Sequence, residues 1–287
     1  MLTFCGLLLI LITLRDVFDT LWRPSGFGTL SKLTFRLVWR ASKLRKANSK
    51  TLRSAGPLGV LVTLGAWSGL MVVGFALIYL PRIPEGFYFS SPLEPASSSD
   101  LVTSWYISVV ALTTLGVGDI APSSPLLRVV VPAEALLGFV LLTAGISWIL
   151  QLYSALNRRR ALARNLTTMR RVHADRIVET GEAGVAVSLL EAARGEMAAA
   201  EMDLLQYSES YYFRDGDPDI SLVAALPYVA QLVQAGGRSA SEEVRIAADM
   251  LENGLAEVLR LLREQYLGQV GGTQDTLRAF AADHRQT

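Results

Sequence analysis

The chain has 287 residues, of which 51% are hydrophobic and 18% are charged, and its formal net charge is +1 at pH 7. This composition is more apolar and less charged than that of an average soluble domain, which indicates a membrane protein, and the balanced charge gives no support for nucleic-acid binding. The single cysteine, Cys5, excludes an intrachain disulfide, and we expect it only to pack in an apolar helix.

Three apolar stretches are long enough to cross a bilayer at about 1.5 Å per residue, namely residues 2–22, 57–80 and 126–153. The first stretch has neither a basic leader nor a small-residue cleavage site. We therefore expect residues 1–23 to be retained as an N-terminal transmembrane helix.

Two acidic residues lie near the end of this first stretch. Asp16 and Asp19 are three residues apart and share one helical face. We expect both carboxylates to be solvated at the membrane interface, and the alternative is a contact with a partner helix or a role in gating.

The basic residues are unevenly distributed along the chain. Nine of them, and no acid, lie between Arg23 and Arg53, and a run of three arginines from Arg158 to Arg160 follows the third stretch. Because positive residues favour the cytoplasmic side, we expect a multi-pass protein of the cell membrane with the N-terminus outside and the C-terminus in the cytoplasm.

Residues 24–56 are predicted to form a basic interfacial helix and a cytoplasmic loop. Apolar residues recur there at helical spacing, and the basic residues fill most of the remaining circumference. This pattern is typical of a helix on the inner leaflet. We expect a general attraction to anionic lipids, with recognition of one particular lipid as the alternative, through Lys32, Arg36, Arg40 and Lys43.

Residues 57–156 contain a loop and a short apolar segment between the second and the third apolar stretches. Residues 81–99 are rich in proline and serine and are predicted to form an external loop. Residues 101–113 are apolar but too short to cross a bilayer, which favours a re-entrant helix.

A glycine-containing segment, Thr114 to Gly118, directly follows this short helix. A dehydrated cation needs several oxygens at close range without a trapping charge, and inward-pointing backbone carbonyls supply them. Glycines at alternate positions, here Gly116 and Gly118, permit the backbone angles that turn the carbonyls to one side. Thr114 adds a hydroxyl at the inner end, and Asp119 places negative charge at the outer mouth.

Residues 113–119, with the sequence TTLGVGD, resemble the signature of the potassium channel family. The resemblance covers about a third of the chain, residues 57–153. It implies an all-α membrane protein with the family's pore domain of outer helix, pore helix, filter and inner helix, to which this chain adds an N-terminal transmembrane helix and a helical cytoplasmic domain. The resemblance further implies a selectivity filter with Asp119 at its mouth, made of Thr114, Leu115, Gly116, Val117 and Gly118.

One chain carries a single filter segment, so a closed ring of carbonyls requires four copies in a homotetramer. The function implied is passive conduction of potassium, which is the permeant ion and not a cofactor. Val117 departs from the aromatic residue or leucine usual in the family, so a weakly selective monovalent cation channel is one alternative. A membrane-anchored sensor or scaffold with a vestigial pore is another. We expect no enzymatic activity, since no nucleophile with a base, metal cluster or phosphate loop is visible.

Several residues are predicted to support the filter. Glu134 is a carboxylate within the third apolar stretch, where a charge is costly, so we expect it to be hydrogen-bonded behind the filter near Tyr106, Val110 or Thr113. Gly138 and Gly145 resemble positions at which the family's inner helix bends, and helix packing is the equal alternative.

Residues 157–287 are predicted to form an acidic, all-helical cytoplasmic domain. From Val172 onward there are nineteen acidic and nine basic residues, and the apolar pattern is helical. Asp215, Asp217 and Asp219 alternate as in a calcium loop, but an ordinary turn is favoured because the loop's later glycine and glutamate are missing.

Overall fold

The computed structural model describes residues 1–23, 28–44, 54–90, 99–268 and 271–284. Residues 91–98 of the predicted external loop and residues 45–53 after the basic helix lie outside these ranges. The chain divides into two compact units. The first comprises residues 1–38 and 57–150, and the second comprises residues 39–56 and 151–287.

Within the described residues, five helices contribute to the first unit, and two of them are long and apolar enough to cross a membrane. These two are α3 (Ala55–Tyr79), which continues as a 3-10 turn to Arg82, and α5 (Leu127–Arg171), which runs without a break past Asn157. Helix α1 also has 20 residues, but the charges of Arg15, Asp16 and Asp19 make it more polar than a typical span. The five helices are α1 (Leu2–Leu21), α2 (Thr29–Leu44), α3 (Ala55–Tyr79), α4 (Asp100–Leu112) and α5 (Leu127–Arg171).

Helix α1 packs closely against α3. A Cβ atom on Gly6 would lie 2.3 Å from the carbonyl oxygen of Gly74, so the two backbones are in direct contact there. Arg82, just after α3, donates to the hydroxyl of Thr3 at 3.1 Å. Close approach through small residues is the usual way in which membrane helices associate.

The expectation that Asp16 is solvated is wrong, and its alternative, a contact with partner helices, is what the structure contains. Asp16 is buried, with 6% of its surface exposed. Its carboxylate accepts hydrogen bonds from the backbone N–H of Leu30 at 2.7 Å, from Ser31 and from the indole of Trp67 at 2.9 Å. Asp19 remains near the surface, where it pairs with Arg15 of its own helix and with Arg23 just after the helix ends.

One strand of a two-stranded antiparallel ribbon directly follows the filter segment in the chain. Strand β1 (Phe87–Phe89) pairs with β2 (Ile120–Pro122), and Tyr88 lies opposite Ala121. The sequence pattern did not predict these strands, because three residues are too few for a visible alternation. The ribbon joins the segment after α3 to the segment after the filter. The surrounding core contains Met71, Phe75, Tyr79, Ile107, Leu112 and Leu127.

The second unit is helical throughout its described residues, as the sequence predicted. Helix α9 (Glu242–Leu262) packs against α7 (Ala183–Gln206) and α8 (Leu222–Gly237). The buried side chains of these helices are mostly leucine, alanine and valine. The last part of α5 belongs to this unit. The remaining helices are α6 (Ala174–Thr180), α7 (Ala183–Gln206), α8 (Leu222–Gly237), α9 (Glu242–Leu262) and α10 (Thr273–Asp283).

Arginines of α5 pair with the acidic turn that resembled a calcium loop. Arg160 donates to Asp215 at 2.7 Å, and the buried Arg159 donates to the same carboxylate at 3.5 Å. Asp217 and Asp219 pair with Arg164. The carboxylates of this turn thus bind arginine side chains, which supports the interpretation as a structural turn.

Candidate ion-conduction site

Helix α4 points its C-terminal end at the predicted filter. Its N-terminus is capped by Ser99, whose hydroxyl accepts from the backbone N–H of Val102. At the other end, the N–H groups of Thr114 and Leu115 donate to carbonyls of the last helical turn, at 2.9 and 3.0 Å. Because a helix C-terminus carries partial negative charge, this arrangement favours a cation just beyond the end of α4.

The filter backbone alternates in handedness. The φ angles of Thr114, Gly116 and Gly118 are +56°, +60° and +82°, whereas no positive angle occurs at Leu115 or Val117. In an ordinary strand successive carbonyls point to opposite sides, and alternating left-handed residues turn them toward the same side. The two glycines were expected in this role from their spacing. Thr114 was not expected to be left-handed, because a β-branched residue rarely adopts this conformation.

The filter side chains are exposed in the single chain. Leu115 and Val117 are exposed over 69% and 54% of their surface. A cavity of about 330 Å³ lies on the other side of the filter backbone, between the glycines and the side chains of Tyr106, Val110 and Ala135. In the single chain, the side chains of the filter strand are therefore largely uncovered, and a cavity lies against the opposite face of the strand.

Asp119 is held at the end of the filter by the pore helix. Tyr106 donates to one carboxylate oxygen at 2.7 Å, and the backbone N–H of Ile120 donates to the other at 3.0 Å. The backbone carbonyl of Asp119 accepts from Ser90. Tyr106 thus contacts the filter through Asp119 and does not bond to Glu134.

Glu134 is fully buried between three helices. Its two carboxylate oxygens accept one hydroxyl each, from Tyr79 at the end of α3 and from Ser108 in α4, both at 2.5 Å. We predicted that this carboxylate is hydrogen-bonded behind the filter near Tyr106 or Thr113, and its hydrogen bonds are made instead with Tyr79 and Ser108. Thr113 instead donates to the carbonyl of Val109 in its own helix. No feature of the sequence marks Tyr79 or Ser108 as partners, because they lie 55 and 26 residues away.

Gly138 lies where α5 crosses the end of the pore helix. A Cβ atom there would lie 1.9 Å from the carbonyl oxygen of Leu112, so only glycine fits. At Gly145 the nearest atom would be a side-chain carbon of Leu64 at 3.0 Å. Both glycines line or border a cavity of about 440 Å³ below the filter. The structure gives Gly138 a packing role, and α5 is continuous through both positions.

Within the described residues, no group of three histidine, cysteine, aspartate or glutamate side chains is placed to hold a metal ion. The oxygen atoms suited to a cation in this region are those of the filter backbone, the hydroxyl of Thr114 and the carboxylate of Asp119.

Parts of the chain are similar to a protein-family model and to two bacterial proteins. Residues 67–155 match the model of a family described as an ion channel. The chain is 32% identical over 166 residues to the uncharacterized membrane protein YdjJ of Bacillus subtilis (strain 168), covering 57% of this chain and 48% of that protein. It is 36% identical over 89 residues to the protein LctB of Geobacillus stearothermophilus, covering 29% of this chain and 65% of that protein. The chain thus spans less than two thirds of either relative, and no solved structure matches it.

Proposed function

We propose that this chain, whose residues 67–155 match the model of an ion-channel family, conducts potassium ions passively across a membrane as a homotetramer. The observation that supports this most directly is the alternation of left-handed backbone angles at Thr114, Gly116 and Gly118, between the pore helix and α5. This alternation suits a strand whose carbonyls all face one axis. Four such strands would replace the hydration shell of a monovalent cation.

The proposal of a tetramer rests on two features of the filter strand in a single chain. A single strand cannot surround an ion, and the exposed side chains of Leu115 and Val117 need neighbours to cover them. Asp119 would place four carboxylates around the outer mouth, where they concentrate cations. We assign the N-terminus to the outside and the C-terminus to the cytoplasm of the cell membrane, on the basis of the basic residues after α1 and along α5.

A weakly selective cation channel is the second candidate, and Val117 is the feature that favours it. Potassium selectivity depends on the number and field strength of the carbonyls and on how firmly the strand holds them. The short side chain of Val117, which is 54% exposed in the single chain, gives the strand less packing support than an aromatic side chain would. Conduction needs only the backbone pattern, so it is expected in either case.

The test is ion flux through liposomes that contain the purified full chain. Potassium-loaded and sodium-loaded vesicles are compared under opposite gradients, with a proton ionophore and a pH-sensitive dye. We expect flux from potassium-loaded vesicles and much less from sodium-loaded ones. Equal fluxes would favour the weakly selective channel, and the absence of flux in both would refute conduction.

A pair of glycine variants links the flux to the filter. Gly118→Ala places a side chain on a left-handed residue and should abolish potassium flux. Gly65→Ala is the matched control, because Gly65 lies within α3 and its added Cβ meets nothing within 4 Å. Retention of flux in Gly118→Ala would contradict the assignment of the filter. Light scattering of the detergent-solubilised protein checks the tetramer, and a monomer or dimer would refute it.

A further inference from the structure

The outward face of α2 combines basic and apolar side chains. The helix has four basic residues and no acid. Leu33 and Leu37 are exposed over 52% and 54% of their surface, and Arg36 and Arg40 are exposed beside them. These residues form two adjacent rows at i, i+4 spacing, one apolar and one basic. Such a surface fits the boundary between acyl chains and headgroups and is unusual in contact with water alone.

The opposite face of α2 is fixed to helix α3. The hydroxyls of Thr34 and Thr63 lie 2.6 Å apart. A Cβ atom on Gly59 would lie 2.5 Å from the ring of Phe35, so the aromatic side chain is packed directly on the α3 backbone. Since α3 is one of the two candidate spans, α2 is fixed beside a helix that is long and apolar enough to cross a membrane.

Asp16 fixes the beginning of α2. It accepts from the N–H groups of Leu30 and Ser31, in the first turn of α2, and from the hydroxyl of Ser31 at 2.7 Å. The N-terminal end of a helix carries partial positive charge and unpaired N–H groups, so a carboxylate supplied by another helix caps it. The same carboxylate accepts from Trp67 of α3. One buried side chain therefore joins α1, α2 and α3.

We propose that the outward face of α2 binds the anionic headgroups of the lipid bilayer, and that Asp16 is the residue that positions this face. Leu33 and Leu37 enter the acyl boundary while Arg36 and Arg40 reach the headgroups. Lys43 lies outside the binding face, because its ammonium group pairs with Asp283. The inference rests on the membrane location of the proposed channel and is independent of its ion selectivity.

The test uses the detergent-solubilised full chain and measures lipid binding by native mass spectrometry. Phosphatidylglycerol is titrated against phosphatidylcholine, which has the same chains and no net charge. Each arginine near a charged surface contributes about a fivefold change in affinity, so Arg36→Gln with Arg40→Gln should weaken phosphatidylglycerol binding about 25-fold. Binding of phosphatidylcholine should not change. Arg278→Gln is the matched control, because that arginine is 81% exposed on α10.

Asp16→Asn separates positioning from simple electrostatics. Removing an acidic charge by itself would strengthen the binding of an anionic lipid, whereas release of the α2 N-terminus should weaken it. Ser31→Ala deletes only one hydrogen bond to Asp16 and is the milder variant if the first fails to fold. We expect weaker phosphatidylglycerol binding in both.

The outcomes of these measurements are distinct from those of the flux assay. Unchanged phosphatidylglycerol binding in the double arginine variant, or an equal loss in Arg278→Gln, would overturn the lipid site. Stronger binding in Asp16→Asn and unchanged binding in Ser31→Ala would overturn the positioning role. Potassium flux in liposomes would stand in either case, and loss of flux with intact lipid binding would instead refute conduction alone.

Discussion

The buried carboxylate of Glu134 should control filter stability through two hydroxyl groups. Tyr79→Phe and Ser108→Ala each delete one donor to this carboxylate and leave one of its oxygens without that partner. Hydrogen bonds to charged groups contribute about 1.5–3 kcal/mol, and an unsatisfied buried charge costs more. We therefore expect each variant to destabilise the arrangement of α3, α4 and α5 by about 2 kcal/mol.

Changes of the carboxylate itself give a graded series. In Glu134→Gln, both hydroxyls can still bond, since a hydroxyl either donates to the amide oxygen or accepts from its nitrogen. Glu134→Ala removes the partner of both hydroxyls and opens a cavity. The alanine variant should therefore be the more severe, and the glutamine variant should retain most of the geometry without the charge.

Single-channel recording in planar bilayers measures the consequence, with the folded yield of each variant determined in parallel. If Glu134 supports the filter, open probability and potassium preference should change more than the yield does. Thr143→Ala is the control on the same helix, because this hydroxyl bonds only to carbonyls of its own preceding turn. Unchanged open probability and selectivity in Tyr79→Phe, Ser108→Ala and Glu134→Ala would refute the supporting role, as would an equal change in Thr143→Ala.

Three further predictions concern other positions. Val117→Tyr should raise the preference for potassium over sodium in bi-ionic reversal potentials, where a tenfold gain needs only about 1.4 kcal/mol; an equally strong preference in the native protein would contradict this. Burial lowers the pKa of His284 from 6.5 to about 4, so the unfolded chain binds the proton more readily, and acidification from pH 7 to 5 should lower the free energy of unfolding of the second unit by about 2 kcal/mol. Denaturant titrations check this, and His284→Gln should be less sensitive to pH over that range. Gly138→Ala should sharply reduce the folded yield, because its Cβ meets a backbone carbonyl, whereas Gly145→Ala meets only a leucine side chain and should be tolerated.

Local features of the sequence predicted the elements that depend on local chemistry. The spacing of Gly116 and Gly118 indicated a carbonyl-lined strand, and both have positive φ angles. The thirteen apolar residues before them form the short helix α4, at residues Asp100–Leu112. Thr114 could not be predicted in the same way. Its left-handed conformation is unfavourable for a β-branched residue and is imposed by the turn from α4 into the filter.

The hydrogen-bond partners of the buried carboxylates could not be predicted from the sequence. Glu134 was recognised as a costly charge in an apolar helix, but its donors lie in two other helices. Asp16 was assigned to solvent because the charges of α1 cluster near its end. Its actual partners belong to α2 and α3, and two of them are backbone N–H groups. Every residue except proline carries such a group, so no sequence pattern predicts which of them the carboxylate binds.

The buried carboxylates of Asp16 and Glu134 both accept hydrogen bonds from side chains of helix α3, and the distance between these two contacts limits how one can affect the other. Asp16 binds Trp67, and Glu134 binds Tyr79, twelve residues further along the same helix. At 1.5 Å per residue the two contacts are separated by about 18 Å. Side chains that far apart normally act independently, since coupling fades beyond about 7–10 Å. Any dependence of filter behaviour on α2 would therefore have to pass through displacement of α3 as a rigid body. The close backbone contact of Gly6 with Gly74, between those two positions, is where α1 would resist such a displacement.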